Sequence, residues 1–139
     1  MRALALDYGS ARCGCAVSDA TGTLATPLDP VERPASRAGI GAIAELVDRL
    51  GVETVVVGLP LSLAGGDSAQ TSEVRSFADA LRGRLGDAVP VELADERFTT
   101  KLARDRGGRA SEDSRAAAII LEDWLARRPS GLRETESPG

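Results

Sequence analysis

The feature that most constrains the fold is the order in which strand and helix patterns follow one another along the chain. Short strand patterns come first, at 2–7, 12–18 and 23–26, and turn residues at 19–22 separate the last two. Helix and strand patterns then alternate through the rest of the 139-residue chain. This order predicts an α/β fold with a mixed sheet, an antiparallel meander followed by parallel strands, and helices on both faces.

The later elements are recognised by apolar residues at helical spacing and by short β-branched runs. We expect helices at 36–50, 69–85, 99–106 and 112–127, and strands at 53–57 and 89–93. The proline-containing segment 29–35 is expected to be a loop. The sequence therefore predicts one domain, 1–128, built on a five-stranded sheet, and a disordered polar tail, 129–139.

Charge and composition limit the possible functions. The formal net charge is −4, whereas nucleic-acid-binding proteins usually carry a basic surplus, so the balance alone speaks against such a partner. A carboxylate cluster that binds cations would account for part of the negative charge. The absence of histidine removes the Ser–His and Cys–His arrangements of nucleophilic catalysis. Cys13 and Cys15 lack the further ligands of a zinc site, and we expect them to be small buried side chains on one strand face.

The cellular location is predicted from what the sequence lacks. No segment has the pattern of a signal peptide, and no apolar run is long enough to span a bilayer. We therefore expect a cytoplasmic protein without a membrane partner. Both a monomer and a homodimer remain possible.

Three acidic residues occupy positions where such a sheet places its binding sites. Asp7 ends the first predicted strand and Glu96 follows the fifth, and ligands bind beyond the carboxyl ends of strands in sheets of this kind. Asp113 lies in the first turn of the last predicted helix, on a face that we expect to pack on the sheet. The apolar residues of that face are Ala116, Ala117, Ile120 and Trp124.

Each acid has a simpler explanation when it is taken alone. Asp7 could start a turn, Glu96 could form a solvated salt bridge, and Asp113 could complement the helix dipole. Together they predict one cluster at the sheet edge. Oxygen ligands without histidine or cysteine suit Mg²⁺ or Mn²⁺. Two such ions about 4 Å apart can activate water and stabilise the leaving oxygen of a phosphodiester.

Four motifs follow one another along the chain. They are LALDYGSARCGCAVSD at 4–19, VVVGLPLSLAGGDS at 55–68, ADERFTT at 94–100 and DSRAAAIILEDWL at 113–125. In these motifs the chain resembles the YqgF/RuvX family of pre-16S rRNA nucleases and Holliday junction resolvases, within the RNase H-like superfamily. The resemblance implies an RNase H-like fold, with Asp7, Glu96 and Asp113 as the catalytic metal ligands.

The resemblance also implies substrate contacts made by loop backbone. Gly9 belongs to the first motif and is expected to lie close to substrate. Gly58, Leu59 and Pro60 correspond to a family loop that is expected to approach the substrate backbone.

Further contacts are implied for charged and hydroxyl side chains. Arg12 and Arg97 match basic positions of the family and are expected to contact phosphate, although a structural salt bridge explains either of them equally well. Thr99 and Thr100 match a Ser/Thr-Thr pair, which could touch substrate, but capping of the following helix is favoured.

The sequence departs from the family pattern in one segment. Family members usually carry a basic stretch between the Thr pair and the last Asp, and here the stretch 101–112 is shorter by roughly ten residues. Its basic residues are Lys101, Arg104, Arg106 and Arg109. The shortening weakens the expected hold on a phosphate backbone and removes no metal ligand.

The leading functional hypothesis is a metal-dependent endonuclease that processes the 5′ end of pre-16S rRNA, with structured RNA or a ribosomal particle as its partner. A Holliday junction resolvase acting on branched DNA is the first alternative, and it should work as a dimer that presents two sites. A non-catalytic nucleic-acid or ribosome-assembly binding module is the second alternative. The acidic charge and the short basic segment motivate this last hypothesis, and the complete set of acids speaks against it.

Overall fold

The computed structural model describes residues 2–59, 69–95 and 112–127, and at Asp95, Glu112 and Asp113 it describes the backbone only. The elements in these ranges are β1 (Ala3–Asp7), β2 (Arg12–Ser18), β3 (Ala25–Glu32), α1 (Arg37–Leu50), β4 (Thr54–Leu59), α2 (Ala69–Leu85), β5 (Val91–Asp95) and α3 (Glu112–Arg127). A short 3-10 turn, Gly86–Ala88, follows α2. None of the helices in the described ranges has the length and apolar character needed to cross a membrane.

The strands form one five-stranded sheet in the order β3-β2-β1-β4-β5. The pairs β1–β2 and β2–β3 are antiparallel, whereas β1–β4 and β4–β5 are parallel. The predicted mixed sheet, with its meander at the start and parallel strands after it, is therefore confirmed. The central strand β1 separates the two kinds of pairing.

The two faces of the sheet carry different side chains because successive strand residues point to opposite sides. Leu4 and Leu6 face the core under α1 and α2, where Phe77 is the largest fully buried side chain. Ala3 and Ala5 face α3. The α3 face is lined largely by alanines, which let that helix lie close to the sheet. The predicted placement of helices on both faces of the sheet is therefore confirmed.

The helix boundaries follow from local capping chemistry. Ser36 caps α1, because its hydroxyl accepts the Gly39 N–H at 3.0 Å. Gly51 ends the helix in a left-handed conformation with φ of 67°. The predicted helix 36–50 is thus confirmed, and the helices predicted at 69–85 and 112–127 are found at those positions. The predicted helix 99–106 and the tail 129–139 lie outside the described residues.

The third strand differs from the prediction. A short strand at 23–26 and a loop at 29–35 were expected, but β3 continues from Ala25 to Glu32. The loop prediction was wrong for 29–32, because proline is tolerated on an edge strand, where a missing N–H donor leaves no partner unsatisfied. Residues 33–35 form a turn, in agreement with the prediction. Pro27 and Pro30 both lie in this edge strand.

A β-bulge interrupts the pairing of β2 with β3. Cys13 pairs with Val31 and Cys15 pairs with Leu28. One residue of β2, Gly14, therefore lies opposite two residues of β3, which is the definition of a bulge. The irregularity lies beside the carboxyl end of β1, because Gly14 is also the cross-strand partner of Asp7.

Candidate carboxylate site at the sheet edge

The carboxyl ends of the three parallel strands meet at one edge of the sheet. Leu6 of β1 pairs with Val57, and Leu59 pairs with Asp95 at the end of β5. The ends of β1 and β5 are thus separated by two strand spacings, about 10 Å. Glu96 is the next residue in sequence after β5 and lies outside the described residues.

Asp7 is the partly buried last residue of β1. Strand alternation places it on the α3 face, in series with Ala3 and Ala5. Its cross-strand neighbour on β2 is Gly14, which has no side chain. The paired position on β2 therefore places no side chain beside the Asp7 carboxylate.

Helix α3 brings its first turn to the same edge. The indole N–H of Trp124, near the end of α3, donates to Oε1 of Glu92 at 3.1 Å, and Glu92 lies near the start of β5. The helix thus runs antiparallel to the parallel strands. Its first turn, which contains Asp113, lies at the carboxyl edge and on the same face of the sheet as Asp7. The side chain of Asp113 lies outside the described residues.

Ser114 anchors this first turn to the sheet. Its side chain is fully buried. Its hydroxyl accepts the Cys15 backbone N–H at 3.3 Å and donates to the Leu28 carbonyl at 2.6 Å. These two strand residues are paired directly beside the bulge. Sequence reasoning missed Ser114, although its spacing was a signal: it lies one helical turn before Ala118 and two turns before Leu121, on the face that those apolar residues bury.

The predicted packing face of α3 is largely confirmed. Ala117 and Ile120 are buried, and Trp124 packs against the same cluster. Ala116 is only half-buried and is not part of that cluster. The buried face is rotated slightly from the predicted one, because its first-turn contact is made by Ser114.

The loop after Asp7 is fixed by close packing and by one aromatic side chain. A side chain at Gly9 would place its Cβ 2.7 Å from the Arg12 carbonyl oxygen, so the turn requires glycine. The Tyr8 ring points to the opposite face and lies 4.6 Å from the ring of Phe77. Its hydroxyl donates to Oε2 of Glu73 at 2.7 Å. Burial, and next the hydrogen bond to Glu73, raises the pKa of Tyr8 to about 12.

Arg12 is the exposed first residue of β2. Ala16, in the same alternating series of β2, faces α3. Alternation therefore places Arg12 on the same face as Asp7. Its predicted contact with phosphate stays a prediction.

The first two residues of the predicted glycine-leucine-proline loop belong to a strand. Gly58 and Leu59 are the last residues of β4, and the pairing with β5 continues through both of them. The expectation that they belong to a loop was wrong because β5 ends at Asp95 rather than at residue 93, so the ladder is longer. Leu59 is 7% exposed and packs in the α1–α2 core. The other predicted contacts, Pro60, Arg97, Thr99 and Thr100, lie outside the described residues.

The described part of the site offers one oxygen donor group, the carboxylate of Asp7. Cys13 and Cys15 are fully buried in the core on the opposite face, as predicted. The chain has no histidine. Oxygen donors suit Mg²⁺ or Mn²⁺. Among the side chains that the structure describes, no group of three potential ligands is close enough to hold a metal ion. Glu96 and the side chain of Asp113 are not among them.

The family model described as RuvX, Holliday junction resolvase, matches residues 1–127. The chain belongs to the RuvX family. A relative from Mycobacteroides abscessus, named "Putative pre-16S rRNA nuclease", is 40% identical to this RuvX chain, and the match covers 99% of this chain and 88% of that one. A relative of the same name from Maridesulfovibrio salexigens is 38% identical, and the match covers 91% of this chain and 99% of that one. The predicted family is therefore confirmed.

Solved structures confirm the fold. Thermus thermophilus RuvC matches this RuvX chain with a TM-score of 0.58 at 18% identity, over 97% of both chains. The fowlpox virus Holliday junction resolvase matches with a TM-score of 0.54 at 10% identity, over 91% of this chain and 99% of that one. The RuvX chain thus has the RNase H-like fold that was predicted.

Proposed function

We propose that this chain is a metal-dependent endonuclease that cleaves structured RNA at the 5′ end of precursor 16S rRNA. The observation that carries the proposal is that Asp7 and the first turn of α3, which contains Asp113, lie on one face at one edge of the sheet. Glu96 directly follows β5, whose end lies at that edge. The names of the curated relatives support the choice of substrate. A role in rRNA processing would place the protein in the cytoplasm.

In this proposal Asp7, Glu96 and Asp113 hold Mg²⁺ or Mn²⁺. When bound, such ions supply positive charge at the phosphodiester and make water more acidic. The first turn of α3 adds backbone N–H groups and a partial positive charge, which favour carboxylates and phosphate at the same edge. Tyr8 fastens the loop that follows Asp7 to α2 and so limits movement of that carboxylate.

The substrate contacts of the proposal surround these acids. Arg12 lies on the Asp7 face, where a guanidinium can donate two parallel hydrogen bonds to a phosphate. The remaining proposed contacts are Gly9, Gly58, Leu59, Pro60, Arg97, Thr99 and Thr100. Gly9 and Leu59 also have packing roles in the structure. We therefore propose that these two residues contact substrate through their backbone groups.

The proposal is tested with a labelled precursor transcript and Mg²⁺ or Mn²⁺. The variants Asp7→Asn, Glu96→Gln and Asp113→Asn should each lower the cleavage rate by roughly 100-fold or more, since each removes a charged ligand. Asp48→Asn changes the net charge equally but alters an exposed residue of α1, and it should cleave as the wild type does. Calorimetric titration with Mn²⁺ should show binding to the wild type and weaker binding to Asp7→Asn. The proposal fails if the wild type cleaves no RNA above the level of Asp7→Asn.

Resolution of Holliday junctions is the second candidate, because the matching family model carries that description. A resolvase must present two sites to a four-way junction and should therefore act as a homodimer. Incubation with a labelled four-way DNA junction, together with light scattering of the complex, distinguishes the two activities. Symmetric nicking by a dimer, with the RNA left intact, would favour the resolvase. A protein that binds nucleic acid but no Mn²⁺ would instead be a binding module.

A further inference from the structure

Arg33, directly after β3, has an unusual backbone. Its φ of 42° makes it the one non-glycine residue with positive φ in the described part of the chain. A left-handed conformation is strained for a residue with a Cβ and persists where the surroundings hold it in place. Two sets of contacts hold Arg33. Its N–H donates to the Ala11 carbonyl at 2.9 Å, and its own carbonyl accepts the N–H and the hydroxyl of Ser36 at 3.0 and 2.7 Å.

These contacts join the β3–α1 turn to the loop that follows Asp7. Ala11 lies in that loop, immediately before Arg12. Ser36 is the N-cap of α1. The backbone of Arg33 is therefore fixed between the candidate site and the start of α1. Glycine would adopt this conformation at no steric cost, so the turn alone does not require an arginine. The strain points to a role for the side chain.

Arg37 begins α1 at the same edge of the sheet. Arg33 and Arg37 are both exposed, and neither side chain makes an ion pair or hydrogen bond within the described ranges. Arg82 and Arg127 differ in this respect, because each is paired with an aspartate. In a chain with net charge −4, two exposed guanidinium groups that have no acidic partner in the described ranges, at the sheet edge that carries Asp7, are suited to an anionic ligand.

We propose that Arg12, Arg33 and Arg37 form an arginine rim that contacts the phosphates of the bound nucleic-acid strand beside the carboxylate site. The planar guanidinium matches phosphate geometry and keeps its charge at any working pH. The rim deepens the function proposed above and rests on it for the class of ligand. It also offers a means by which an acidic chain with a short basic segment can hold a polyanion.

The test measures binding without cleavage, in EDTA, by fluorescence anisotropy over a series of salt concentrations. The probes are a labelled RNA stem-loop and a labelled four-way DNA junction. The variants are Arg33→Gly, Arg33→Lys and Arg37→Ala. The matched control is Arg49→Ala, which removes the same charge from the last turn of the same helix, about 18 Å from Arg37.

Arg33→Gly and Arg37→Ala should each weaken binding about fivefold and lower the slope of log K against log salt by about 0.7 to 0.9, which is the loss of one phosphate contact. The affinity of Arg33→Lys should lie between those of the wild type and Arg33→Gly, and the affinity of Arg49→Ala should equal that of the wild type. The melting temperature of Arg33→Gly should not fall, because glycine adopts the observed φ without strain. An effect on either probe supports the rim, and the probe that responds assigns the strand to RNA or to DNA.

The rim is overturned if Arg33→Gly and Arg37→Ala bind as Arg49→Ala does, if Arg33→Gly only loses stability, or if the wild type binds neither probe. These results are separate from the test of the proposed function. If cleavage depends on Asp7 but the arginine variants bind as the wild type does, only the proposal of the arginine rim is rejected. If the arginine variants weaken binding but the wild type does not cleave, only the proposed nuclease function is rejected.

Discussion

The Ser114 hydroxyl accepts a hydrogen bond from the Cys15 backbone N–H at 3.3 Å, although 99 residues separate the two in sequence. The same hydroxyl donates to the Leu28 carbonyl at 2.6 Å. One helix side chain thus satisfies two backbone groups beside the bulge that interrupts the β2–β3 ladder. Because Cys15 follows Gly14, the cross-strand partner of Asp7, the contact fixes the first turn of α3 relative to Asp7.

Ser114→Ala should destabilise the protein by about 1 to 3 kcal/mol, because it leaves a buried backbone N–H and a carbonyl without this partner. Urea unfolding measures the change. Ser76→Ala, at an exposed position of α2, is the control and should stay within about 0.5 kcal/mol of the wild type. If Asp113 is a metal ligand, Ser114→Ala should also weaken Mn²⁺ binding in the folded protein. Equal unfolding midpoints for the two serine variants would contradict the anchoring role.

Tyr8→Phe should remove a pH-dependent part of the stability. The Tyr8 pKa is raised from 10.0 to about 12, chiefly by burial and then by the hydrogen bond to Glu73. The folded state therefore keeps the phenol proton longer than the unfolded state does. The resulting stabilisation is fully present below pH 10 and is lost as the pH rises from 10 to about 12.

Stability measured by urea unfolding from pH 8 to 12 tests this relationship. At pH 8 the Tyr8→Phe variant should be less stable by about 0.5 to 1.5 kcal/mol, the contribution of one hydrogen bond. The difference from the wild type should shrink above pH 10. The Glu73→Gln variant should lose less stability between pH 10 and 12 than the wild type does, since the Glu73 carboxylate contributes to the raised pKa of Tyr8. Parallel curves for wild type and Tyr8→Phe up to pH 12 would contradict the assignment.

Sequence patterns predicted those parts of the fold that depend on local periodicity. The helices at 69–85 and 112–127 were predicted because their apolar residues recur at helical spacing. The length of β3 was not, because prolines at Pro27 and Pro30 favour a loop until it is known that the strand lies at the sheet edge. Edge position is a property of the whole sheet and is not visible in a local window of sequence.

Of the candidate site, too, the sequence predicted some residues and missed others. The placement of Asp7 at a strand end was predicted from the sequence, since the pattern of β1 is short and clear. Ser114 was missed because its contacts, with Leu28 and Cys15, join residues far apart in sequence. The left-handed backbone of Arg33 was also missed, since arginine gives no local signal for positive φ. The metal-ligand roles of Asp7, Glu96 and Asp113 stay predictions.

Asp19→Asn should weaken the β2–β3 turn in a pH-dependent way. The Asp19 carboxylate accepts the backbone N–H groups of Thr23 and Leu24 at 2.9 and 3.2 Å and the Thr21 hydroxyl at 2.8 Å. The hydrogen bond from the Thr23 N–H is the largest of the causes that lower the pKa of Asp19 below its ordinary value of 3.8. The resulting stabilisation is present above pH 3.8 and is lost as the pH falls through the lower, folded-state pKa.

Thermal unfolding of wild type and Asp19→Asn between pH 7 and pH 2 measures this effect. The wild type should melt at the higher temperature at pH 7, and the gap should close as the pH falls below 3.8. Cleavage and Mn²⁺ binding should be unchanged at pH 7, because this turn lies near the amino end of β1, whereas Asp7 lies at its carboxyl end. A gap that stays constant with pH would show that the carboxylate charge does not stabilise the turn.

Two glycines of α1 should respond oppositely to alanine. A Cβ at Gly39 would overlap the Arg33 carbonyl oxygen and lie 2.6 Å from the Cα of Pro34, and both are backbone atoms that cannot move away without displacing the turn. Gly39→Ala should therefore destabilise the protein by about 2 kcal/mol or more and displace the turn that holds Arg33. A Cβ at Gly41 would meet only the guanidinium of Arg84, at 3.6 Å. Gly41→Ala should stabilise the helix by about 0.5 to 1 kcal/mol, since alanine loses less backbone entropy on folding.

Urea unfolding of the two variants provides an internally matched comparison, because both place the same methyl group in the same helix. The salt dependence of RNA binding should weaken in Gly39→Ala, whose Arg33 turn is displaced, and stay unchanged in Gly41→Ala. Changes of the same sign and size in the two variants would mean that the close approach of α1 to the Arg33–Pro34 backbone does not constrain the fold. A destabilised Gly39→Ala with wild-type binding would separate the packing of this turn from the contact with phosphate.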